Sequence, residues 1–360
     1  MIVPVCKLNA KCIHCQENNE IQFEIIYNTI MSKLLYVTYE WNFTKTCSSV
    51  FFPELLKKYF DVELCMIKDD SDLDADKINS SDYDSVIFFQ CEPDFSKFTC
   101  KNIIFVPMYD TFGFTPCRIK TLKNIKLINF SRRLHRESLR YGIQSFYIQY
   151  YPEIKAEQIS NENRNRVFFW QRQKWDPYSL LKVFPDDLNQ LGIKYINLHS
   201  TEYKEENCGG ENFKNAQIQK TSWFEKKEDL NKLLSETKYY YAPRDKEGIG
   251  FSFLDALEKG CVIICHKEGT MNEYIQNKKN GYIINFCRPG KIKFSDFEKM
   301  QKASIESVVE GRKRYEQAVP LMAEFIKGEN KSCGFKNFTG RLTVNFVRVW
   351  DKGMRIFKLK

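Results

Sequence analysis

Residues 239–283 read YYYAPRDKEGIGFSFLDALEKGCVIICHKEGTMNEYIQNKKNGYI, and the order of element types within them decides the fold. Tyr239 to Pro243 is an apolar, aromatic run that predicts a strand. A polar loop with Glu247, Gly248 and Gly250 follows. The helix expected next, Phe251 to Lys259, sets Phe253, Leu254 and Leu257 at helical spacing and stops at Gly260. Cys261 to Cys265 is continuously apolar, as expected of a strand buried on both faces. Thr270 and Asn272 are candidate caps for a further helix, and Asn280-Gly281 marks a turn before a last short strand.

The chemistry of the stretch narrows its use. A glycine loop that opens a helix lets backbone N–H groups approach an anion, and the helix dipole favours negative charge there. Yet Glu247 lies in the loop and Asp255 in the helix. Carboxylates beside a site for phosphate alone would oppose it. They make sense as acceptors for hydroxyl groups, a sugar on one side and a ribose on the other.

The pattern Glu-Gly-Ile-Gly-Phe, with seven residues between Glu247 and Asp255, then Ala-Leu-x-x-Gly-x-Val-Ile, resembles the donor-binding core of GT-B glycosyltransferases. Within that group it is most similar to family 4, the glycosyl transferases group 1. Glu273 and Asn280-Gly281 match later landmarks of the family. The family normally has Glu at both ends of the gap; Asp255 reaches one methylene less. The resemblance implies an α/β fold of two Rossmann-like domains facing across a cleft, with a C-terminal helix. It also implies an enzyme, a hexosyltransferase-like glycosyltransferase that takes a nucleotide sugar and passes the sugar to a glycan or lipid-linked acceptor. Retention of configuration, no cofactor and no metal go with it. By the same resemblance Glu247 would meet the sugar hydroxyls and Asp255 the ribose. Gly248, Gly250, Phe251, Thr270 and Glu273 would complete the donor site. The family holds the donor diphosphate with Arg and Lys near the first strand of the second domain. Arg172 and Lys174, in Gln171-Arg172-Gln173-Lys174, are the candidates. The plain alternative is a doubly wound α/β domain with a surface carboxylate.

The rest of the chain fits two domains. Its 360 residues are 43% hydrophobic and 28% charged, ordinary for a globular protein. No apolar run reaches the ~20 residues that span a bilayer, and no secretory leader pattern opens the chain. Thirteen scattered cysteines argue against a disulfide framework and for a reducing cytoplasm. Residues 1–30 read as an extension before a domain starting at Met31, with Cys6, Cys12, Cys15 and His14 only a weak zinc pattern. Residues 31–152 alternate strands and helices as an acceptor domain. Its first loop, Glu40 to Thr46, lacks the glycine that the family often has there. Residues 165–290 form the nucleotide-sugar domain and 291–330 the C-terminal helices. Ser295 and Glu298 are expected to cap the last long helix, and Pro320 to kink or restart it.

The net charge of +9 is concentrated at the end. Residues 331–360 hold eight Lys or Arg against Asp351, interleaved with Phe335, Phe338, Phe346, Trp350 and Phe357. That tail is a terminal strand or a contact for an anionic membrane, on the inner face of which the protein would sit peripherally; no nucleic-acid partner is expected. Asp72-Leu73-Asp74 has the letters of a metal-binding Asp-x-Asp, but lies in an acidic connector. His135, among Arg132, Arg133 and Arg136, is the acceptor-side candidate, against a surface histidine on a basic helix. His266 borders the cleft in this reading. Three functions compete: surface polysaccharide or lipopolysaccharide synthesis by glycosyl transfer, a degenerate GT-B protein that binds without transfer, and a nucleotide-sugar epimerase.

Overall fold

The structure, a computed structural model, describes residues 31–45, 47–153, 164–171, 179–200, 212–213, 215–222, 224 and 226–329. Arg172, Lys174, the N-terminal cysteines and the basic tail lie outside the described residues.

The N-terminal unit is a six-stranded parallel sheet. Its strands are β1 (Lys33–Tyr39), β2 (Asp61–Ile67), β3 (Ser85–Phe89), β4 (Asn102–Val106), β5 (Lys126–Asn129) and β6 (Ser145–Tyr147), ordered β2-β1-β3-β4-β5-β6. Helices α1 (Glu40–Thr44), α2 (Phe51–Leu56), α3 (Ala75–Ser80), α4 (Pro116–Leu122) and α5 (Arg132–Arg140) fill its connections. Central strands β3 and β4 are buried at every residue. That is why they read as unbroken apolar runs rather than alternating ones.

The C-terminal unit has seven strands: β7 (Arg166–Gln171), β8 (Tyr195–Ser200), β9 (Asn212–Phe213), β10 (Ala216–Thr221), β11 (Thr237–Ala242), β12 (Val262–His266) and β13 (Gly281–Ile284). Their order is β13-β12-β11-β7-β8-β10-β9, parallel except for the edge pair β9 and β10. Helices α6 (Ser179–Val183), α7 (Lys227–Ser235) and α8 (Phe251–Glu258) belong to this unit. Strand β10 was not expected from the sequence; its residues AQIQKT carry too few apolar side chains to signal a strand.

Helix α9 (Phe297–Lys327) joins the two units. It starts in the C-terminal unit, where the Ser304 hydroxyl donates to the Asn280 carbonyl at 2.9 Å. It ends against the N-terminal unit, where Phe325 packs on Phe146 at 5.5 Å. There the ammonium of buried Lys126 donates to the carbonyls of Phe325 and Ile326, both at 2.9 Å, and to that of Gly328. One cation thus satisfies carbonyls that a helix C-terminus leaves without partners. Burial lowers the Lys126 pKa to about 8.

Two expectations for α9 are corrected. Its cap is Asp296, which accepts from the Lys299 N–H at 3.3 Å, not Ser295. The helix also does not restart at Pro320 but runs through it. Pro320 and Glu316, whose carbonyl loses its donor, both lie on the exposed face, where the carbonyl is open to solvent rather than buried without a partner.

One apolar cluster runs through both units. It includes Tyr36 and Ile104 of the first, Phe168 and Tyr240 of the second, and Val308 and Ile326 of α9. Each sheet has a separate cluster on its other face. None of the described helices is long and apolar enough to cross a membrane.

Candidate active site

Each sheet grows in one direction and then reverses. The reversal falls between β1 and β3 in the first sheet and between β7 and β11 in the second. At such a point the loops leaving neighbouring carboxyl ends diverge to opposite faces and open a crevice, where open α/β sheets bind ligands. The carboxyl ends of the two sheets face one another. Phe51, at the start of α2, packs on Phe251, at the start of α8, with ring centroids 5.5 Å apart.

On the C-terminal side the loop after β11 carries Arg244, Glu247, Gly248 and Gly250. Glu247 and Arg244 are both buried and form an ion pair. The Arg244 guanidinium also lies 5.4 Å over the ring of Trp170, at the end of β7. It thereby ties together the two loops that flank the reversal. His199, at the end of β8, stands edge-on to Trp170 at 4.8 Å and stacks on Phe224 at 4.7 Å. Burial, and then the nearby Arg244 charge, lower the His199 pKa to about 4, so its imidazole is neutral at pH 7.

Gly250 is the N-cap of α8 at φ +77° and offers no side-chain cap. A Cβ there would be strained in backbone and would stand 3.3 Å from Glu247 Cγ. The first amides of α8 therefore have no capping side chain, and the Glu247 carboxylate stands beside the helix start. Gly248 lies against the opposite unit: a Cβ on it would come 3.1 Å from Met108 Sδ and 3.3 Å from Asp110 Oδ1. The Thr270 hydroxyl donates to the Glu247 carbonyl and fixes the loop from behind; it caps no helix.

Asp255, one turn into α8, is mostly buried and lies 3.5 Å from Lys227 at the start of α7. Burial raises its pKa and Lys227 pulls it back. Glu273 reaches the other unit. Its carboxylate accepts the Arg132 N–H at 2.9 and 3.0 Å and the Tyr147 hydroxyl at 2.8 Å. Burial is the main influence on it and raises its pKa against those donors.

His135 corrects the surface reading. Its ring is buried, bonded through Nδ1 to Ser145 Oγ at 2.8 Å and packed near Tyr147 at 5.9 Å. Burial, with Arg136 and Arg132 adding to it, lowers its pKa to about 4. It sits inside the N-terminal unit, behind Tyr147 and its bond to Glu273. Leu134, His135 and Ser138 share the buried face of α5, a spacing visible in the sequence. His266 is buried too; its Nδ1 accepts the Glu268 N–H at 2.9 Å and its Nε2 lies 3.9 Å from Asp245. Asp72 and Asp74 serve turns, accepting the N–H groups of Lys68 at 2.8 Å and Lys77 at 3.0 Å. A cavity of about 660 Å³ lined by Lys33, Lys57, Asp61 and Asp84 opens at the amino ends of the first sheet, away from the crevice.

With this geometry in hand, comparison with known proteins is decisive. Residues 154–317, just under half of the chain, match the family described as glycosyl transferases group 1. The fold of the chain is that of the GT-B glycosyltransferases. No curated protein matches this glycosyltransferase in sequence. Solved structures share its fold at low identity. A glycosyltransferase from Rickettsia africae is 14% identical with a TM-score of 0.52, over 82% of this chain and 99% of that one. Anabaena HepE, solved with UDP and glucose, is 11% identical with a TM-score of 0.53, over 82% and 99%. A trehalose-6-phosphate synthase is 10% identical with a TM-score of 0.56, over 82% and 99%. The transferase is therefore a two-unit α/β enzyme whose crevice lies between the carboxyl ends of its sheets. Arg244 is the site residue the sequence did not single out. A lone arginine in a polar loop looks solvated until the fold buries it against Glu247 and Trp170.

Proposed function

We propose that this glycosyltransferase moves a sugar from a nucleotide sugar to a glycan or lipid-linked acceptor, with retention and without a metal, in the synthesis of a surface polysaccharide or lipopolysaccharide. The observation that carries the reading is the buried Glu247–Arg244 pair set before the side-chain-free start of α8, at the reversal of the second sheet. A leaving diphosphate needs positive potential as its bond to C1 breaks. The α8 amides and Arg244 supply it, together with Arg172 and Lys174. Glu247 accepts hydroxyls of the sugar, and Asp255 faces the ribose alongside Lys227. Glu273 orders the crevice by holding the two units together. As the C1–O bond to the diphosphate breaks, the acceptor oxygen bonds to C1 on the same face and passes its proton to the departing diphosphate oxygen. HepE, solved with UDP and glucose, makes UDP-glucose the first donor to try. Retention takes its support from trehalose-6-phosphate synthase, studied for transfer with retention. The basic tail would bring the enzyme to the cytoplasmic membrane face.

A panel of nucleotide sugars tests the reading through thermal shift, because a ligand bound to the folded state raises Tm by mass action. At least one donor should raise Tm and then release nucleoside diphosphate when acceptor is added. A donor that raises Tm but never releases diphosphate would favour the binding-only alternative.

A further inference from the structure

We propose that Trp41 is the platform of an acceptor subsite and that its ligand is an uncharged saccharide ring. The proposal deepens the transferase reading and rests on it. Trp41 follows the carboxyl end of β1 directly and is 50% exposed. Its ring stacks on Tyr39, with centroids 6.2 Å apart and planes within 12°. The Tyr39 hydroxyl in turn donates to Asp70 Oδ1 at 2.8 Å. A large apolar face thus stands in water, backed by the Tyr39 ring, just beyond the carboxyl end of β1.

The surrounding loop is built around the reversal of that sheet. Asn42, fully buried, donates to Gln90 Oε1 at 3.0 Å and accepts from Ser48 Oγ at 3.2 Å. Gln90 follows β3, so the Asn42–Gln90 bond spans the gap between the loops leaving β1 and β3. Gln90 has φ 64° and Cys47 φ 51°, left-handed values that non-glycine residues rarely adopt. Such conformations concentrate at functional sites. The first sheet therefore carries, at its own switch point, a braced loop that presents an aromatic ring.

Two classes of ligand offer a flat face to such a ring: a nucleobase and the C–H face of a sugar. Charge decides between them. The elements around Tyr39 carry Glu40, Asp69, Asp70, Asp72 and Glu92 against Lys45, Lys68 and Arg118, and Arg118 is already paired with Glu92 at 2.8 Å. A phosphate-bearing ligand would meet net negative charge here. Carboxylates accept hydroxyl protons, so a neutral polyhydroxylated ring suits both the face and its rim.

The test follows the indole N–H signals of protein labelled with 15N-tryptophan. The chain has five tryptophans, and Trp41→Phe identifies the Trp41 signal by its loss. Methyl glycosides of glucose, galactose, mannose and N-acetylglucosamine are titrated, and UDP in a separate arm. At least one glycoside should shift the Trp41 signal, and Trp41→Ala should weaken its binding tenfold or more. UDP should leave Trp41 unmoved. If no glycoside shifts Trp41, if Trp41→Ala binds as tightly as the parent, or if UDP moves Trp41, the proposal is overturned. The titration needs no turnover. Its failure beside intact diphosphate release condemns the subsite alone, and success without diphosphate release from any nucleotide sugar condemns the transferase reading alone.

Discussion

The Glu273 carboxylate of the C-terminal unit accepts the Arg132 backbone N–H of the N-terminal unit at 2.9 and 3.0 Å. A negative side chain from one sheet therefore sits at the start of α5 beside the other, where the helix dipole favours it. Glu273→Gln keeps the size but removes the charge and turns half of the acceptor into a donor. A loss of ~1–3 kcal/mol is expected, with a larger radius of gyration in small-angle scattering. Unchanged stability and radius would mean that the contact does not hold the units together.

The contact between α9 and Tyr151, shortly after β6, has a sharper steric test. A Cβ at Gly311 would stand 2.2 Å from the Tyr151 ring. Helix propensity alone favours Gly311→Ala by ~1 kcal/mol. Overpacking typically costs ~1–3 kcal/mol, and Tyr151 is itself buried and braced by Tyr274 at 5.2 Å. The clash should win, so calorimetry should show a lower Tm for Gly311→Ala. A raised Tm would show that Tyr151 yields freely.

Acid should destabilise the protein through its buried histidines. His135 and His199 have folded pKa values of about 4, depressed chiefly by burial, against an ordinary value of 6.5. Between pH 6.5 and 4 the unfolded chain binds more protons, so stability falls as pH falls through that window. The loss amounts to at most about 3 kcal/mol per histidine. Denaturant titrations at pH 7, 6, 5 and 4 should show this slope, and His135→Gln should reduce it. A slope unaffected by His135→Gln would contradict the burial account.

The fold was legible where burial leaves a one-dimensional trace. Cys261 to Cys265 had to be covered on both faces, and Gly250 and Gly260 punctuated the helix between loop and strand. The resemblance implied a C-terminal helix, and α9 is that helix, running from the second unit to the first. What stayed hidden depends on contacts distant in sequence. Glu273 matched a donor-site landmark, but only the fold shows that it reaches Arg132 and Tyr147. Arg133 and Arg136 made α5 look solvated, yet its Leu134–His135–Ser138 face packs inward. Polar β10 gave no apolar period, because it is the next-to-last strand of its sheet and only its first residue is fully buried.

The central claim is that Glu247 grips the transferring sugar while its pairing with Arg244 holds it in place. Glu247→Gln preserves shape and keeps an acceptor oxygen for Arg244, but it removes the counter-charge of a buried cation and so lowers stability. The direct measurement is the rate of nucleoside diphosphate release from the donor that raises Tm, with the variant's own Tm as a check on folding. The account predicts a fall on the order of 10²-fold or more with the protein still folded. A folded Glu247→Gln enzyme that releases diphosphate within about twofold of the parent rate, about 0.4 kcal/mol of barrier, would contradict it.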